Sequence, residues 1–228
     1  MSTFRELFFQ TDRVLHSLKL DHYLEIYETY FSRFKGLTPT ILEVGCDHGG
    51  SLELWNDYFQ GDCQVIGVDL NSECKAIEKA LGLENVEIVI GDAREEQFWN
   101  QFKLDYPKID ICIDDAGHGM DEQRTILECM YGHVSDNGIY LVEDTHTSYM
   151  PLYTNKGSSI IKRTFVETCK DLVDSLYSDY NSLEGTFCDI TNAVHFYDSI
   201  VVFEKKPRKK IKDLSDKLIS SGGITLWL

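Results

Sequence analysis

Residues 109 to 149 constrain the fold more than any other stretch of this chain. They open with I-D-I-C-I-D-D-A-G-H and close with G-I-Y-L-V-E-D-T-H-T-S-Y. Each end is a short apolar run, Ile109 to Ile113 and Ile139 to Val142, that stops on paired acids: Asp114 and Asp115, then Glu143 and Asp144. Apolar runs of that length bounded by polar residues read as buried strands of a parallel sheet. Between them Glu122 to Tyr131 has helical composition and Asp136-Asn137-Gly138 reads as a turn, so the unit is strand, helix, strand. A crossover of this kind puts both strand ends on one edge of the sheet, where open α/β sheets bind ligands. Four carboxylates and two histidines, His118 and His146, are thereby delivered to one rim.

The flanking sequence extends the same alternation. Thr3 to Phe34 is read as helical, with Tyr23, Leu24, Ile26, Tyr27, Tyr30, Phe31 and Phe34 on one face. Strands are expected at Thr40 to Val44, Cys63 to Leu70 and Val86 to Ile90, with helices at Leu52 to Phe59, Ala76 to Leu81 and Phe98 to Phe102. Pro151 to Ser159 reads as a loop and Ile160 to Tyr177 as a helix. Gly185 to Ile190 and His195 to Phe203 read as a hairpin turning near Thr191-Asn192. The expected fold is therefore α/β: a Rossmann-like, doubly wound, mainly parallel seven-stranded sheet with a C-terminal antiparallel hairpin and N-terminal helices.

Charge and cysteines narrow the function. A net charge of -16 argues against a binder of nucleic acid backbones, which needs a basic face. The 7 cysteines include no C-x-x-C pair, which points to reduced thiols rather than a zinc site. The start lacks the pattern of a secretory leader and no apolar run reaches the roughly 18 residues of a membrane span, so a cytoplasmic location is expected.

Three further motifs carry chemistry. The loop E-V-G-C-D-H-G-G-S, Glu43 to Ser51, lies between a strand and a helix, and glycines at 45 and 49 let the backbone turn tightly beside a ligand. Asp47 stands where a dinucleotide fingerprint has its second glycine, and a loop carrying Glu43 and Asp47 suits a cationic ligand better than a pyrophosphate. Asp69 near the end of the second strand is placed for ribose hydroxyls, and Gly91-Asp92 at the end of the third for an adenine amino group. At the rim, Asp115, Glu143 and Asp144 offer hard oxygen ligands with no cysteine among them, which favours magnesium over zinc. His118, three residues past Asp115, is suited to take a proton near neutral pH; His146 is a weaker candidate, and His48 is read as a contact to cofactor or substrate only.

Taken in order, E-x-G-x-x-x-G, Asp69, Gly91-Asp92, I-D-D-A-G-H and V-E-D-T-H-T-S-Y resemble the class I S-adenosylmethionine-dependent methyltransferases. Within them the pattern is similar to the metal-dependent sugar O-methyltransferases of macrolide pathways and to the cephalosporin-hydroxylase-like group. The resemblance implies that Glu43, Gly45, Gly49, Ser51, Asp69, Asp92 and Asp114 surround S-adenosylmethionine. It implies that Asp115, Glu143 and Asp144 hold a divalent metal, with His118 as general base and Asp115 beside it in catalysis. One departure stands beside the base, where Ala116-Gly117 replaces the family's usual glycine and serine.

On this reading residues 1–36 form a helical cap, 37–206 the methyltransferase domain and 207–228 a basic extension containing Lys209, Lys210 and Lys212. The expected acceptor is a sugar, a nucleotide-linked sugar or a glycosylated small molecule. A catechol-like vicinal diol is the alternative acceptor, and a metal-dependent hydroxylase or a non-catalytic nucleoside-binding module the alternative functions. The aromatic N-terminal face and the apolar C-terminus fit a homo-oligomer.

Overall fold

The computed structural model describes residues 2–10, 12–155, 163–178 and 186–208. Its centre is a 7-stranded sheet made of β1 (Thr40–Val44), β2 (Gln64–Asp69), β3 (Val86–Ile90), β4 (Ile109–Asp114), β5 (Val134–Val142), β6 (Thr191–Phe196) and β7 (Val201–Lys205). The strand order is β3-β2-β1-β4-β5-β7-β6, with the first five parallel and β7 and β6 antiparallel at the end. The order reverses between β1 and β4, which opens a crevice there at the carboxyl ends of the strands.

Register makes that edge even. Val44 pairs with Val68 on one side and Asp114 on the other, and Asp114 pairs with Val142. The ladder runs one residue past each strand: Gly45 N donates to Val68 O at 2.8 Å, Asp115 N to Val44 O at 2.9 Å and Glu143 N to Asp114 O at 2.9 Å. The first loop residue of three neighbouring strands is thus fixed by backbone bonds before any side chain acts.

Helices cover both faces, as a sheet of apolar parallel strands requires. One face, with Ile41, Val65, Ile111, Ile113 and Leu141, packs on α1 (Phe4–Phe8), α2 (Tyr23–Phe31) and α3 (Gly50–Tyr58). The other, with Leu42, Ile66, Cys112, Tyr140 and Phe203, packs on α5 (Glu96–Asp105), α6 (Met120–Met130) and α8 (Phe165–Ser175). Shorter helices α4 (Ala76–Leu81), α7 (Pro151–Asn155) and α9 (Thr186–Ile190) complete the described chain. Among the described residues no helix is long and apolar enough to cross a membrane, and the seven cysteines are free thiols.

At the outer edge β3 is closed by side chains. Lys75 Nζ donates to Ile88 O at 2.7 Å, and Ile88 N donates to Glu78 Oε1 at 2.7 Å.

Four sequence expectations change. The helical stretch over Thr3 to Phe34 divides into α1 and α2, joined by a strap in which residues 12 to 20 alternate strictly between exposed and half-buried. That alternation is the period of extended chain, and it turns Arg13, Leu15, Ser17 and Lys19 inward. The strap is not helical because its amides bond elsewhere: Val14 N and Leu15 N donate to the Glu53 carboxylate on α3 at 2.8 and 2.9 Å. Second, Asp136-Asn137-Gly138 lies within β5 as an irregularity, where the register jumps from Ile109↔Val134 to Ile111↔Ile139 and Asn137 takes φ 65. Residues with turn chemistry here make a bulge in a strand that continues. Third, the hairpin begins at Thr191 after the single turn of α9 and reverses at Tyr197–Ile200, where Tyr197 N donates to Ile200 O at 2.8 Å. A short apolar run such as Phe187 to Ile190 fits a helical turn or a strand equally. Fourth, part of the expected loop after Tyr149 is α7. Residues 156–162, Gly185 and the basic extension from 209 lie outside the described residues.

The N-terminal helices join the core through one aromatic cluster. Phe4 stacks on Tyr58 at a centroid separation of 3.5 Å and meets Trp55 and Tyr27 edge-on at 5.5 and 5.7 Å. Phe4 N and Tyr58 OH both donate to Glu28, at 3.0 and 2.9 Å, which ties α1 to α2 and α3. Phe4→Ala is expected to cost about 3–5 kcal/mol, the range for emptying a buried aromatic site, as read by urea unfolding.

Candidate active site

The loop after β1 forms one wall of a cleft at the crevice. Gly45 has φ 86, and a Cβ there would lie 2.3 Å from the Asp115 carbonyl oxygen, so this position admits only glycine. Gly49, φ 78, is the cap residue just before α3. The cleft, about 670 Å³, is lined among others by Gly45, Asp47, Asp69, Asp92, Asp115 and His118. It therefore brings together residues that lie far apart in the chain.

The expected cofactor residues take different depths. Asp69 stands at the end of β2, and its carboxylate accepts from Asp47 N at 3.1 Å and Asn71 N at 2.8 Å. Asp92 lines the cleft but is gripped by Arg94, whose Nε and Nη2 donate at 2.8 and 2.6 Å; that hydrogen bonding lowers its pKa to about 2. Glu43 and Ser51 lie beneath the loop: the buried Glu43 carboxylate accepts from Ser51 Oγ at 2.7 Å and Trp55 Nε1 at 2.8 Å. Gly49 and Ser51 line a smaller adjoining pocket, together with Lys19 and Gly45. Asp114 is buried under the rim, where desolvation raises its pKa to about 8 against weak bonds from Ala116 N at 3.4 Å and Tyr140 OH at 3.5 Å.

At the opposite wall Asp115, His118 and Asp144 each place a ligand atom within 4.8 Å of the other two. His118 Nε2 is 3.4 Å from Asp144 Oδ2. Both residues have left-handed backbone, φ 54 and φ 53, a conformation uncommon outside glycine that concentrates at functional sites. The Thr147 hydroxyl bridges the pair, its one proton shared between Asp144 O at 2.8 Å and His118 O at 3.1 Å. Tyr23 OH donates to Asp144 Oδ1 at 2.6 Å. His146 Nδ1 stands 4.0 Å from Asp144, too far for a hydrogen bond. His48 is exposed on the first loop against Asp47.

Glu143 faces inward. Its Oε1 accepts from Tyr27 OH at 2.6 Å and its Oε2 from Lys19 Nζ at 2.9 Å. Lys19 also donates to Asp115 Oδ2 at 2.6 Å and Glu43 Oε1 at 3.4 Å, with only 3% of its side chain exposed. Burial alone would discharge the ammonium, but Glu143, Tyr27, Asp115 and Glu43 together hold its pKa well above the usual lysine value. Burial, aided by Asp115, raises the pKa of Glu143.

Lys19, Tyr23 and Tyr27 are the site residues that the sequence reading missed. The tyrosines were legible only as an apolar face at i, i+4; their hydroxyls reach past that face to the rim. Lys19 meets Asp115 and Glu143 across 96 and 124 residues of chain, and no local pattern announces such a contact.

The seven-stranded fold, with its last two strands antiparallel, is shared with solved methyltransferases. The chain superposes on the MycE methyltransferase of the mycinamycin pathway, solved with Mg and SAH, with TM-score 0.75 and 23% identity, covering 97% of this chain and 60% of that one. A putative caffeoyl-CoA O-methyltransferase from Staphylococcus aureus matches with TM-score 0.56 and 17% identity, over 90% of this chain and 93% of that one.

Among curated proteins the chain is similar to sugar O-methyltransferases. It is 28% identical over 194 residues to the 8-demethyl-8-(2-methoxy-alpha-L-rhamnosyl)-tetracenomycin-C 3'-O-methyltransferase of Streptomyces olivaceus, covering 79% of this chain and 48% of that protein. It is 26% identical over 217 residues to the demethylmacrocin O-methyltransferase of Streptomyces fradiae, covering 89% of this chain and 50% of that protein. The chain thus spans about half the length of these curated relatives. No family model matches it.

Asp114 supplies a test of the buried rim. Its folded pKa of about 8 lies above the unfolded value near 3.9, so the folded protein binds the extra proton and stability falls as pH rises through that window. Asp114→Asn mimics the protonated acid. Its unfolding free energy, measured by urea at about pH 5 and about pH 9, is expected to decline less than that of the wild type.

Proposed function

We propose that the chain is an S-adenosylmethionine-dependent O-methyltransferase that uses a divalent ion and methylates a hydroxyl of a sugar carried on a small molecule. The observation that carries this reading is the placement of Asp115, His118 and Asp144 on one cleft with Gly45 and Asp69. A methyl donor and a deprotonating site would meet there. The names of the curated relatives, which specify methyl transfer to a rhamnosyl-tetracenomycin and to demethylmacrocin, support a sugar-bearing acceptor over a catechol.

The residues fit both groups. Asp69, its carboxylate fixed by two backbone amides, is placed to accept the ribose hydroxyls, and Gly45 lets main chain approach the ligand without a side chain between. Asp47 and Asp115 give the cleft the negative lining that a sulfonium and an ammonium group require. For the metal, Asp115 and Asp144 are hard oxygen donors on the cleft, and Asp115 Oδ1 has no hydrogen-bond partner among the described residues. When bound, S-adenosylmethionine supplies the methyl group and the divalent ion supplies a Lewis acid that acidifies the acceptor hydroxyl.

The remaining work belongs to the chain's own side chains. His118 takes the acceptor proton, and Asp144, whose carboxylate lies 3.4 Å from the ring, stabilises the imidazolium that forms. Tyr23 and Thr147 keep Asp144 and His118 in register, so the base is oriented before the acceptor arrives.

Calorimetric titration of S-adenosylmethionine, with and without magnesium, tests the reading. Binding is expected for the wild type and His118→Ala and is expected to be lost in Asp69→Ala. With sugar-bearing acceptors His118→Ala should turn over about 10²–10⁴-fold more slowly, the usual worth of a positioned general base. Absence of cofactor binding in all variants would sink the proposal, and turnover of simple catechols in preference to glycosides would move the acceptor class.

A further inference from the structure

Two cysteines and a carboxylate meet beside the cleft, apart from the acids of the rim. Cys46 stands on the glycine loop after β1, and Cys74 on the 3-10 turn Ser72–Lys75 that follows β2. Their sulfur atoms and a carboxylate oxygen of Asp69 lie within 4.8 Å of one another. Cys46 Sγ is 3.9 Å from Asp69 Oδ2, and the Cys74 thiol donates to Asp47 O at 3.3 Å. Both cysteines are buried, yet Cys74 and Asp69 line the cleft and Cys46 the smaller pocket that adjoins it. Among the described residues no other cysteine belongs to a cluster of this spacing.

Main chain holds the three groups in place. A Cβ on Gly67 of β2 would fall 3.2 Å from Cys46 Cβ, so the missing side chain lets the loop settle on the strand. Asp69 accepts one amide on each oxygen, from Asn71 N and Asp47 N, and each oxygen keeps a lone pair. Asn71 Oδ1 accepts from Glu73 N at 3.0 Å, which fixes the turn that carries Cys74. The Lys75 ammonium, beside Cys74 in the chain, is turned away to Glu78 and the Ile88 carbonyl.

Two sulfurs and one carboxylate are a donor set for zinc or a softer divalent ion and a poor one for magnesium. Tetrahedral zinc at its usual bond lengths spaces sulfur from oxygen by about 3.6 Å and sulfur from sulfur by about 3.8 Å, so the cluster closes on an ion with shifts of about 1 Å or less. Burial, with Glu43 and Asp69, raises the pKa of Cys46, and burial, with Asp69, raises that of Cys74. Both are therefore thiols at neutral pH, and ligation replaces two S–H bonds by two metal–sulfur bonds, with two protons released and no change of oxidation state.

We infer that Cys46, Cys74 and Asp69 form a site for a thiophilic divalent ion such as zinc, and that this ion and the ribose of the cofactor exclude one another at Asp69. The exclusion rests on the proposed reading of Asp69 as the ribose acceptor; the ion site does not. Thiophilic ions would then silence methyl transfer from the cofactor side of the cleft while the hard oxygen site at the rim stays filled.

Cobalt(II) is the probe, because thiolate ligands give it a near-ultraviolet charge-transfer band that oxygen and nitrogen ligands do not. The full chain is held reduced by a phosphine, with excess magnesium to fill the rim. Cobalt is expected to raise the band at one equivalent, and zinc to abolish it. Cys46→Ser and Cys74→Ser should each weaken binding about tenfold or more, while Asp115→Asn and Cys129→Ser leave the band unchanged. If a serine variant does not fold, wild-type zinc calorimetry in two buffers of different ionisation enthalpy decides: two protons released per ion support the site and none overturns it. No charge-transfer band in the wild type, or a band that survives loss of both thiols, also overturns it. S-adenosylmethionine is expected to bind zinc-loaded wild type about tenfold or more weakly than zinc-free protein, and to bind Cys46→Ser/Cys74→Ser equally with and without zinc. A thiolate band with cofactor affinity unchanged by zinc overturns the exclusion. No cofactor binding by zinc-free wild type overturns the proposed reading of the cleft, and the band still reports on the ion site.

Discussion

A single ammonium compensates carboxylates from three neighbouring strands. Glu43 lies within β1, Asp115 follows β4 and Glu143 follows β5, and all three direct an oxygen at Lys19 Nζ within 3.4 Å. Like charges brought this close inside a protein are tolerable only with a counter-ion or a bound proton. Asp114, just below, shows the cost of the alternative, since burial raises its pKa to about 8. The N-terminal strap is therefore part of the site's electrostatics as well as of its cover.

That convergence follows from main-chain geometry. Parallel strands in even register end together, and one further ladder bond beyond each strand sets Gly45, Asp115 and Glu143 in a row. The side chains then diverge by depth. Residues facing the cleft, such as Asp69, Asp115 and Asp144, are partly exposed, whereas Glu43, Asp114 and Glu143 point into the packed layers and find hydrogen bonds from Trp55, Tyr140 and Tyr27. The same row of acids thus gives a wet outer set and a dry inner set, with Lys19 between them.

Most of the fold was legible because its signals are local. Apolar runs ending on paired acids marked β4 and β5, and the glycine loop after β1 marked the crevice. The elements misread were those where local chemistry is ambiguous. Asp136-Asn137-Gly138 has turn composition yet forms a bulge, and Phe187 to Ile190 has strand composition yet winds into one helical turn. The motif acids were found as a set, but their depth was not, because exposure depends on which residues lie above. Asp69 and Asp114 look alike in sequence as acids closing strands; the first lines the cleft and the second is sealed beneath it. Lys19 was invisible for a different reason, since its meaning lies wholly in partners distant in the chain.

The closed edge of β3 has a consequence for how this molecule lives among copies of itself. An outermost strand is a template on which another chain can add, unless its free amides and carbonyls are occupied. Lys75 and Glu78 occupy both free groups of Ile88 at the middle of the strand, and any incoming strand would have to displace an ammonium and a carboxylate together. At Ile88, then, β3 offers neither a free amide nor a free carbonyl on which a further strand could start.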